Sequence, residues 1–254
     1  MSGGAKAHWV LAQGKEDFGP ILKNLNESFK HTGNTIYKGR NVLKELSWLG
    51  DAIIVKSFAE PNLINRYIYK WVRKSKSRRA FEYAIKLAER KINTPSPIGY
   101  IEYYRRNCLA QSFYAYDKWP ADFTAREVIT NPLHPDRDPI LSAIGEFAWQ
   151  LHKREVDFKD FSPGNILIRW GLSKELCLVD INRMSFQALS LKKRMRTFAR
   201  LWAEDHDLST IIAGYVRASG DDRALAVRLA VRYSQSHKYR SLRKEAIKSL
   251  LRLH

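Results

Sequence analysis

Asp160, Asn165 and Asp180 are the residues whose types and spacing could do chemistry. In "DFKDFSPGNILI", residues 157–168, a carboxylate and an amide stand five positions apart, divided by a Ser-Pro-Gly turn and followed by a β-forming apolar run. Asp180 comes fifteen positions after Asn165, in the stretch "ELCLVDINR". If "NILIRWGLSKELCLVDI" folds as a hairpin, Asn165 and Asp180 meet at one end of it. Two oxygen ligands together with phosphate oxygens suit Mg²⁺, which binds few protein groups and keeps water. Asp160, slightly apart, could take a proton from an attacking hydroxyl. A metal clamp and a base are two of the three parts needed for phosphoryl transfer, the third being a cation for the phosphates.

The cation has to come from elsewhere in the chain. Lys56 ends the apolar run Ala52–Val55, and Glu82 lies on a helical stretch further on, within "RRAFEYAIKLAERK". Each of these residues also has an ordinary explanation. Asp160 alone is more readily a turn or helix-cap acid. Asn165 could bond its own backbone, and Asp180 could be a solvated acid at a strand end. Lys56 could be a surface lysine at a strand end, and Glu82 could pair with Lys86 at i,i+4. The joint order and spacing favour the chemical reading.

The elements that must position them follow from hydrophobic period and turn residues. Residues 1–34 are polar and mixed, with a short lead-in helix around "FGPILKNLNESF". "TIYKGRNVLKELSWLGDAIIVKSF" (35–58) reads as strand, turn, strand, turn, strand, punctuated by Gly39 and "LGD". Residues 61–74 place Leu63, Ile64, Tyr67, Ile68, Trp71 and Val72 at helical spacing. A further helix is predicted from about Ser77 to Lys91, with Phe81, Ala84, Ile85 and Ala88 as its apolar set, stopped by "NTPSP". "IGYIEYYRR" and "LAQSFYAYDKW" look like two antiparallel strands, followed by a loop over 130–139 and a buried helix marked by Ile140, Ile144, Phe147 and Leu151. His152, on that helix, reads as a packed core histidine. From about Leu189 the pattern is almost wholly helical. The fold class expected is α+β in two lobes: residues 1–118 as a β-rich N-lobe with its lead-in segment and the helix carrying Glu82, and residues 119–254 as a helical C-lobe holding the catalytic loop and the metal-binding hairpin.

Bulk composition narrows the class. The chain has 254 residues, 44% hydrophobic and 12% aromatic, which suits a globular core rather than disorder. No stretch approaches about 18 consecutive apolar residues, so no membrane-spanning helix is expected. The first residues lack a signal-peptide apolar region, which points to a cytoplasmic protein. Cys108 and Cys177 fit reduced, unpaired thiols. The formal net charge of +18 attracts polyanions such as nucleic acid, anionic headgroups or phosphorylated glycans. It is clustered: "KWVRKSKSRR" (70–79) has six Lys or Arg in ten residues, and "LKKRMR" (191–196) has four in six. Each run reads equally as a solvated helix face or as an anion site.

"IIVKSF", "AFEYAIKLAERKINTPSPIGYIE", "LHKREVDFKDFSPGNILI" and "LCLVDINRM" occur in the order of a protein-kinase-like fold. More narrowly, the chain resembles the bacterial lipopolysaccharide core kinase family, the WaaP/InaA-like Kdo and heptose kinases. The resemblance covers roughly residues 35–205 and rests most on "YKGR", "VKSF", "RKSKSRRAFEYA", "TPSPIGYIE" and "DFSPGNILI" with "LVDINRM". It implies Lys56 as the phosphate-orienting strand lysine and Glu82 as its helix partner. It implies Asp160 as the catalytic aspartate, with Asn165 and Asp180 as the metal ligands. ATP and Mg²⁺ are the implied cofactors, and a lipid-linked glycan is the implied acceptor.

The chain also departs from the kinase pattern. Phe158 stands where kinases usually have His, Ser162 replaces the Lys two after the base, and "DIN" replaces D-F-G. No G-x-G-x-x-G is present; "YKGRNVLKEL" offers only Gly39, so Lys38 and Arg40 would help cover the phosphates. No A-P-E segment follows, in keeping with a non-peptide acceptor. The readings held beside an inner-core sugar kinase are an atypical small-molecule or Ser/Thr protein kinase, a pseudokinase, and a non-catalytic anion-binding module. The basic surface also suits peripheral contact with the anionic inner-membrane surface. No nucleic-acid motif is present, which ranks that partner low.

Overall fold

In a computed structural model, residues 6–60 and 74–252 are described, and the side chains of residues 250–252 are excepted. The helix expected over 61–74 falls, save for its last residue, outside the described residues. The chain divides into two compact units, Met1–Pro120 and Ala121–His254.

The first unit is built on an antiparallel sheet. Its strands are β1 (Lys6–Leu11), β2 (Asn34–Lys38), β3 (Val42–Trp48), β4 (Asp51–Phe58), β5 (Pro97–Arg105) and β6 (Cys108–Asp117), in the spatial order β1-β5-β6-β4-β3-β2. Turn chemistry sets the register. Between β3 and β4, Leu49 and Gly50 both take positive φ, as a two-residue turn of the I′ kind requires, and Trp48 faces Asp51. Arg106 and Asn107 do the same between β5 and β6. The expected strands are present, and the lead-in helix is α1 (Gly19–His31). β1 was not expected. It is an edge strand with four exposed residues, so it lacks the apolar alternation that marks a half-buried one.

Strand alternation sends the two sides of the sheet into separate cores. Ile53 and Val55 of β4 point to the α1 side, packing with Leu22, Leu25, Phe29, Ile101 and Phe113. Ile54 and Phe58 point to the other side, with Ala80 and Phe81 of α2 (Lys76–Glu89) and with Tyr100, Tyr114 and Tyr116. α2 starts where its cap allows: the Ser75 hydroxyl accepts from the Arg78 N–H at 3.0 Å. Its buried residues are Ser77, Arg79, Ala80, Phe81, Ala84 and Leu87, while Ile85 and Ala88 of the expected set are exposed. The sequence offers two overlapping apolar stripes here, and the sheet takes the one containing Leu87.

The second unit holds α3 (Ala125–Thr130), α4 (Arg137–Lys153), α5 (Leu191–Thr197), α6 (Asp205–Ser219) and α7 (Arg223–Arg252), with small sheets between them. β9 (Ile166–Arg169) and β10 (Glu175–Leu178) form the expected hairpin, and β7 (Phe123–Thr124) adds a third strand beside β9. β8 (Val156–Phe158) pairs with β11 (Met184–Phe186), a pairing that three-residue strands do not announce. α3 and the early start of α4 shorten the loop expected over 130–139. α3 is opened by a capping box in which the Glu127 carboxylate accepts from the Thr124 N–H at 2.9 Å.

α4 and α6 cross at two glycines. A Cβ on Gly145 would press into the Ile211 carbonyl and lie 2.7 Å from the Tyr215 nitrogen, and one on Gly214 would press into the Ser142 carbonyl. Beside that crossing lies a chain of near-perpendicular ring pairs: Phe158 on Phe161, Phe161 on Phe198, Phe198 on Tyr215, and Tyr215 on Trp149. His152 belongs to this core, as expected. It is buried, and its Nδ1 lies 3.1 Å from the Tyr215 hydroxyl. Desolvation, reinforced by the nearby Arg194 charge, pushes its pKa down to about 3. Cys108 and Cys177 are both free thiols, as expected.

Candidate functional site

The β8–β11 ladder sets the geometry of the loop that carries Asp160. Met184 faces Phe158, and the ladder runs one bond further, with the Lys159 N–H donating to the Arg183 carbonyl at 3.1 Å. The chain then turns at Asp160. The Asp160 carbonyl accepts twice, from the Ser162 N–H at 2.6 Å and from the Asn165 side-chain Nδ2 at 3.0 Å. Asn165 sits in the 3₁₀ turn Pro163–Asn165, where proline presets φ, and its N–H donates to the Ser162 carbonyl at 2.9 Å.

The hairpin brings the second acid alongside. Leu178 faces Ile166, and the Val179 N–H donates to the Asn165 carbonyl at 3.0 Å. Asp180 is therefore one residue from a direct backbone bond to Asn165. It takes a left-handed φ of 55°, which ends the strand at a residue type that tolerates that region. Its Oδ1 accepts from the Asn182 amide. Asp160, Asn165 and Asp180 are thus held on one short stretch of backbone hydrogen bonds.

Two arginines flank the Asp160 carboxylate: Arg183 reaches Oδ2 and Arg200 reaches Oδ1, each at 3.4 Å. These contacts are longer than a tight charge-assisted bond of about 2.7–2.9 Å. They leave carboxylate lone pairs for a further donor. Sequence reasoning singled out neither arginine. Arg183 is reached only through the β8–β11 pairing, and Arg200 lies four residues past a basic run that drew the attention. Phe158, in the histidine position, is 1% exposed and is held by Phe161 behind the loop.

The donor set suits a small hard cation. Because Asn165 Nδ2 is used on the Asp160 carbonyl, its amide oxygen is left as the ligand end. One amide oxygen and one carboxylate are the few protein ligands that Mg²⁺ takes alongside phosphate oxygens and water. Among the described residues, no group of three or more His, Cys, Asp or Glu could cage a metal without such help.

In the first unit, Lys56 lies in the middle of the sheet, between Leu43 on β3 and Tyr114 on β6. It is half-buried, on the face that α2 covers, with its Nζ 5.5 Å from the Phe58 ring centre. Glu82 is on α2. Among the described residues its carboxylate is held by Lys74, at 2.8 and 2.7 Å, and by Arg78 at 2.9 Å; Lys56, the partner expected, is not one of these cations. The Lys86 pairing considered as the plain alternative is replaced by Arg78, one turn earlier on the same helix. Desolvation raises the Glu82 pKa, but the Lys74 and Arg78 hydrogen bonds outweigh it and leave the net shift downward. Lys38 ends β2, and Gly39 and Arg40 form the exposed β2–β3 turn, where the Gly39 N–H donates to the Asn41 carbonyl at 3.1 Å. The Tyr37 ring lies over Gly39, in the space a Cβ would need.

In fold, the chain is similar to a solved structure described as WaaP in complex with acyl carrier protein. The TM-score is 0.58 at 14% identity, over 91% of this chain and 98% of that one. The α+β, protein-kinase-like fold expected from the motif order is the fold observed. In all, 1057 solved chains match, and a scaffold so widely used does not by itself choose a substrate. No protein-family model and no curated protein sequence matches the chain.

Proposed function

We propose that the chain is an ATP-dependent kinase that phosphorylates a sugar hydroxyl of a lipid-linked glycan, Kdo or heptose of the lipopolysaccharide inner core. The observation that carries this reading is the Asp160 turn, closed by the Asn165 side chain and tied through Val179 to Asp180. The fold likeness to WaaP, a member of the family whose motifs the chain resembles, supports it independently.

In this reading Asp160 accepts the hydrogen bond of the acceptor hydroxyl and takes its proton as the oxygen–γ-phosphorus bond forms. The bond from that phosphorus to the β-phosphate oxygen breaks, and ADP leaves. Asn165 and Asp180 would hold Mg²⁺, which would supply positive charge to the phosphates. Lys56 contacts the α- and β-phosphates, with Lys38, Gly39 and Arg40 covering the phosphates from the β2–β3 turn. Glu82 can serve Lys56 only by exchanging Lys74 and Arg78, so the reading rests on Lys56 more than on Glu82. Catalysis is then mainly positioning and charge neutralisation. Such an enzyme would work at the cytoplasmic face of the inner membrane.

The test is label transfer from ATP to Kdo- and heptose-bearing acceptors, beside a thermal shift with Mg-ATP. Asp160→Ala is expected to lower turnover by about 10²–10⁴-fold while the Mg-ATP shift survives. Near-normal turnover in that variant would end the assignment. Transfer to an aminoglycoside or a serine peptide instead would move the acceptor class, and a shift without transfer to any acceptor would make the chain a pseudokinase.

A further inference from the structure

The basic run "LKKRMR" is divided by the fold. Arg194 and Met195 turn inward. Arg194 donates to both Asp221 oxygens at 2.8 and 3.0 Å and to the Tyr215 hydroxyl at 2.8 Å, and its guanidinium lies 5.4 Å from the Trp149 ring centre. Met195 is fully buried. Lys193, Arg196 and Thr197 recur at i, i+3 and i+4 on one face of α5, and Arg200 follows on the 3₁₀ turn Phe198–Leu201. These four residues line a groove of about 410 Å³ together with Asp157, Phe158, Lys159 and Gln187.

The charge in this groove is unbalanced. Lys159, Lys193, Arg196 and Arg200 are four cations against one acid, Asp157, whose Oδ2 already accepts from the Ser185 hydroxyl at 2.9 Å. Among the described residues, neither Lys159 nor Lys193 makes an ion pair. A solvated helix face would spread such charges; here they converge in a concavity. Arg200 also touches Asp160, so an anion seated in the groove lies one guanidinium away from the proposed base.

We infer that this groove is an oxyanion-binding subsite whose ligand is a phosphate or carboxylate carried by the acceptor. The assignment of the occupant rests on the kinase reading; the oxyanion chemistry does not. Guanidinium groups bind carboxylate and phosphate oxygens bidentately, and lysines add point charge. Lys193 and Arg196 are then specificity-determining residues, selecting acidic or phosphorylated sugars over neutral ones.

The experiment has two arms. In the first, inorganic phosphate is titrated into the full chain and followed by calorimetry. Wild type is expected to bind, the double variant Lys193→Gln/Arg196→Gln to bind at least tenfold more weakly, and Lys192→Gln, an exposed neighbour outside the groove, to bind like wild type. Absence of phosphate binding, or an equal loss in Lys192→Gln, overturns the subsite. In the second arm, label transfer compares a carboxylate-bearing sugar, a phosphorylated sugar and a neutral heptose. The double variant is expected to raise KM at least tenfold for the charged acceptors and to leave the neutral one unchanged; an equal rise for all three overturns the acceptor as the ligand's source. Phosphate binding with no transfer at all would sink the kinase reading and its acceptor while the subsite stands. Transfer without phosphate binding would sink the subsite alone.

Discussion

Asn165 does two jobs with one amide: its nitrogen closes the Asp160 turn, and its oxygen is the proposed metal ligand. Asn165→Asp separates them. It keeps an oxygen for the cation but removes the donor and sets a carboxylate against the Asp160 carbonyl. The expected result is a fall in kcat of about 10²-fold, the cost of displacing a catalytic group by about 1 Å, with no rise in the Mg²⁺ concentration required. A variant that instead loses Mg²⁺ affinity at unchanged kcat would show that the amide nitrogen is idle. His152 makes a different prediction. The folded histidine stays neutral down to about pH 3, whereas in the unfolded chain it takes a proton near pH 6.5. Between those values the unfolded state binds the extra proton. Stability is therefore intact above about pH 6.5 and is lost as pH falls toward 3, at about 1.4 kcal/mol per pH unit. His152→Gln should flatten the pH dependence of unfolding free energy by that slope between about pH 6 and 4, measured with urea, and an unaltered slope would refute it. The acids and the amide were legible in the sequence because their spacing around a Pro-Gly turn is local. Arg183 and Arg200 were not, because their closeness to Asp160 depends on pairings 23 and 40 residues away.

At the scale of elements, the α4–α6 crossing is set by backbone contact at Gly145 and Gly214. Alanine in a helix interior normally gains about 1 kcal/mol over glycine. Here the added methyl meets backbone, which cannot swing aside as a side chain can. Overpacking of that kind costs about 1–3 kcal/mol or more, so Gly145→Ala is expected to destabilise despite its better propensity. A higher melting temperature in the variant would contradict the close crossing. The strands from β2 to β6 were legible because alternation and turn residues agree, and the hairpin of β9 and β10 for the same reason. β1, β7, β8 and β11 were missed because an exposed edge and runs of two or three residues carry no period. On α2 the stripe through Ile85 and Ala88 fails and the one through Leu87 is taken, a choice made by the sheet rather than by the helix.

The molecule as a whole carries 44 Lys and Arg against 26 Asp and Glu. Some of those cations are neutralised internally, as with Arg194 on Asp221 and Arg137 on Asp207. The excess includes the distal half of α7, where Arg240, Arg243, Lys244 and Lys248 accompany Glu245, and Tyr239, Leu242 and Ile247 are exposed. No helix among the described residues is long and apolar enough to cross a membrane. A basic helix with apolar side chains can instead lie on an anionic surface, where each cation contributes about 1 kcal/mol. The protein is expected to sediment with vesicles containing anionic lipid at low salt, to detach as salt rises, and to bind less after Arg243→Glu/Lys244→Glu. Equal binding to neutral vesicles would contradict this. Composition made the excess charge visible, but only the fold separates cations that pair inside from those that face water.

Phe158 puts a ring with no polar atom two residues before Asp160, so beneath its hydrogen bonds the turn is backed by apolar contact between Phe158 and Phe161. Apolar contact loses strength on cooling. The seat of the proposed base should therefore loosen in the cold, and turnover near freezing should fall below the line extrapolated from warmer temperatures, with restoration on rewarming.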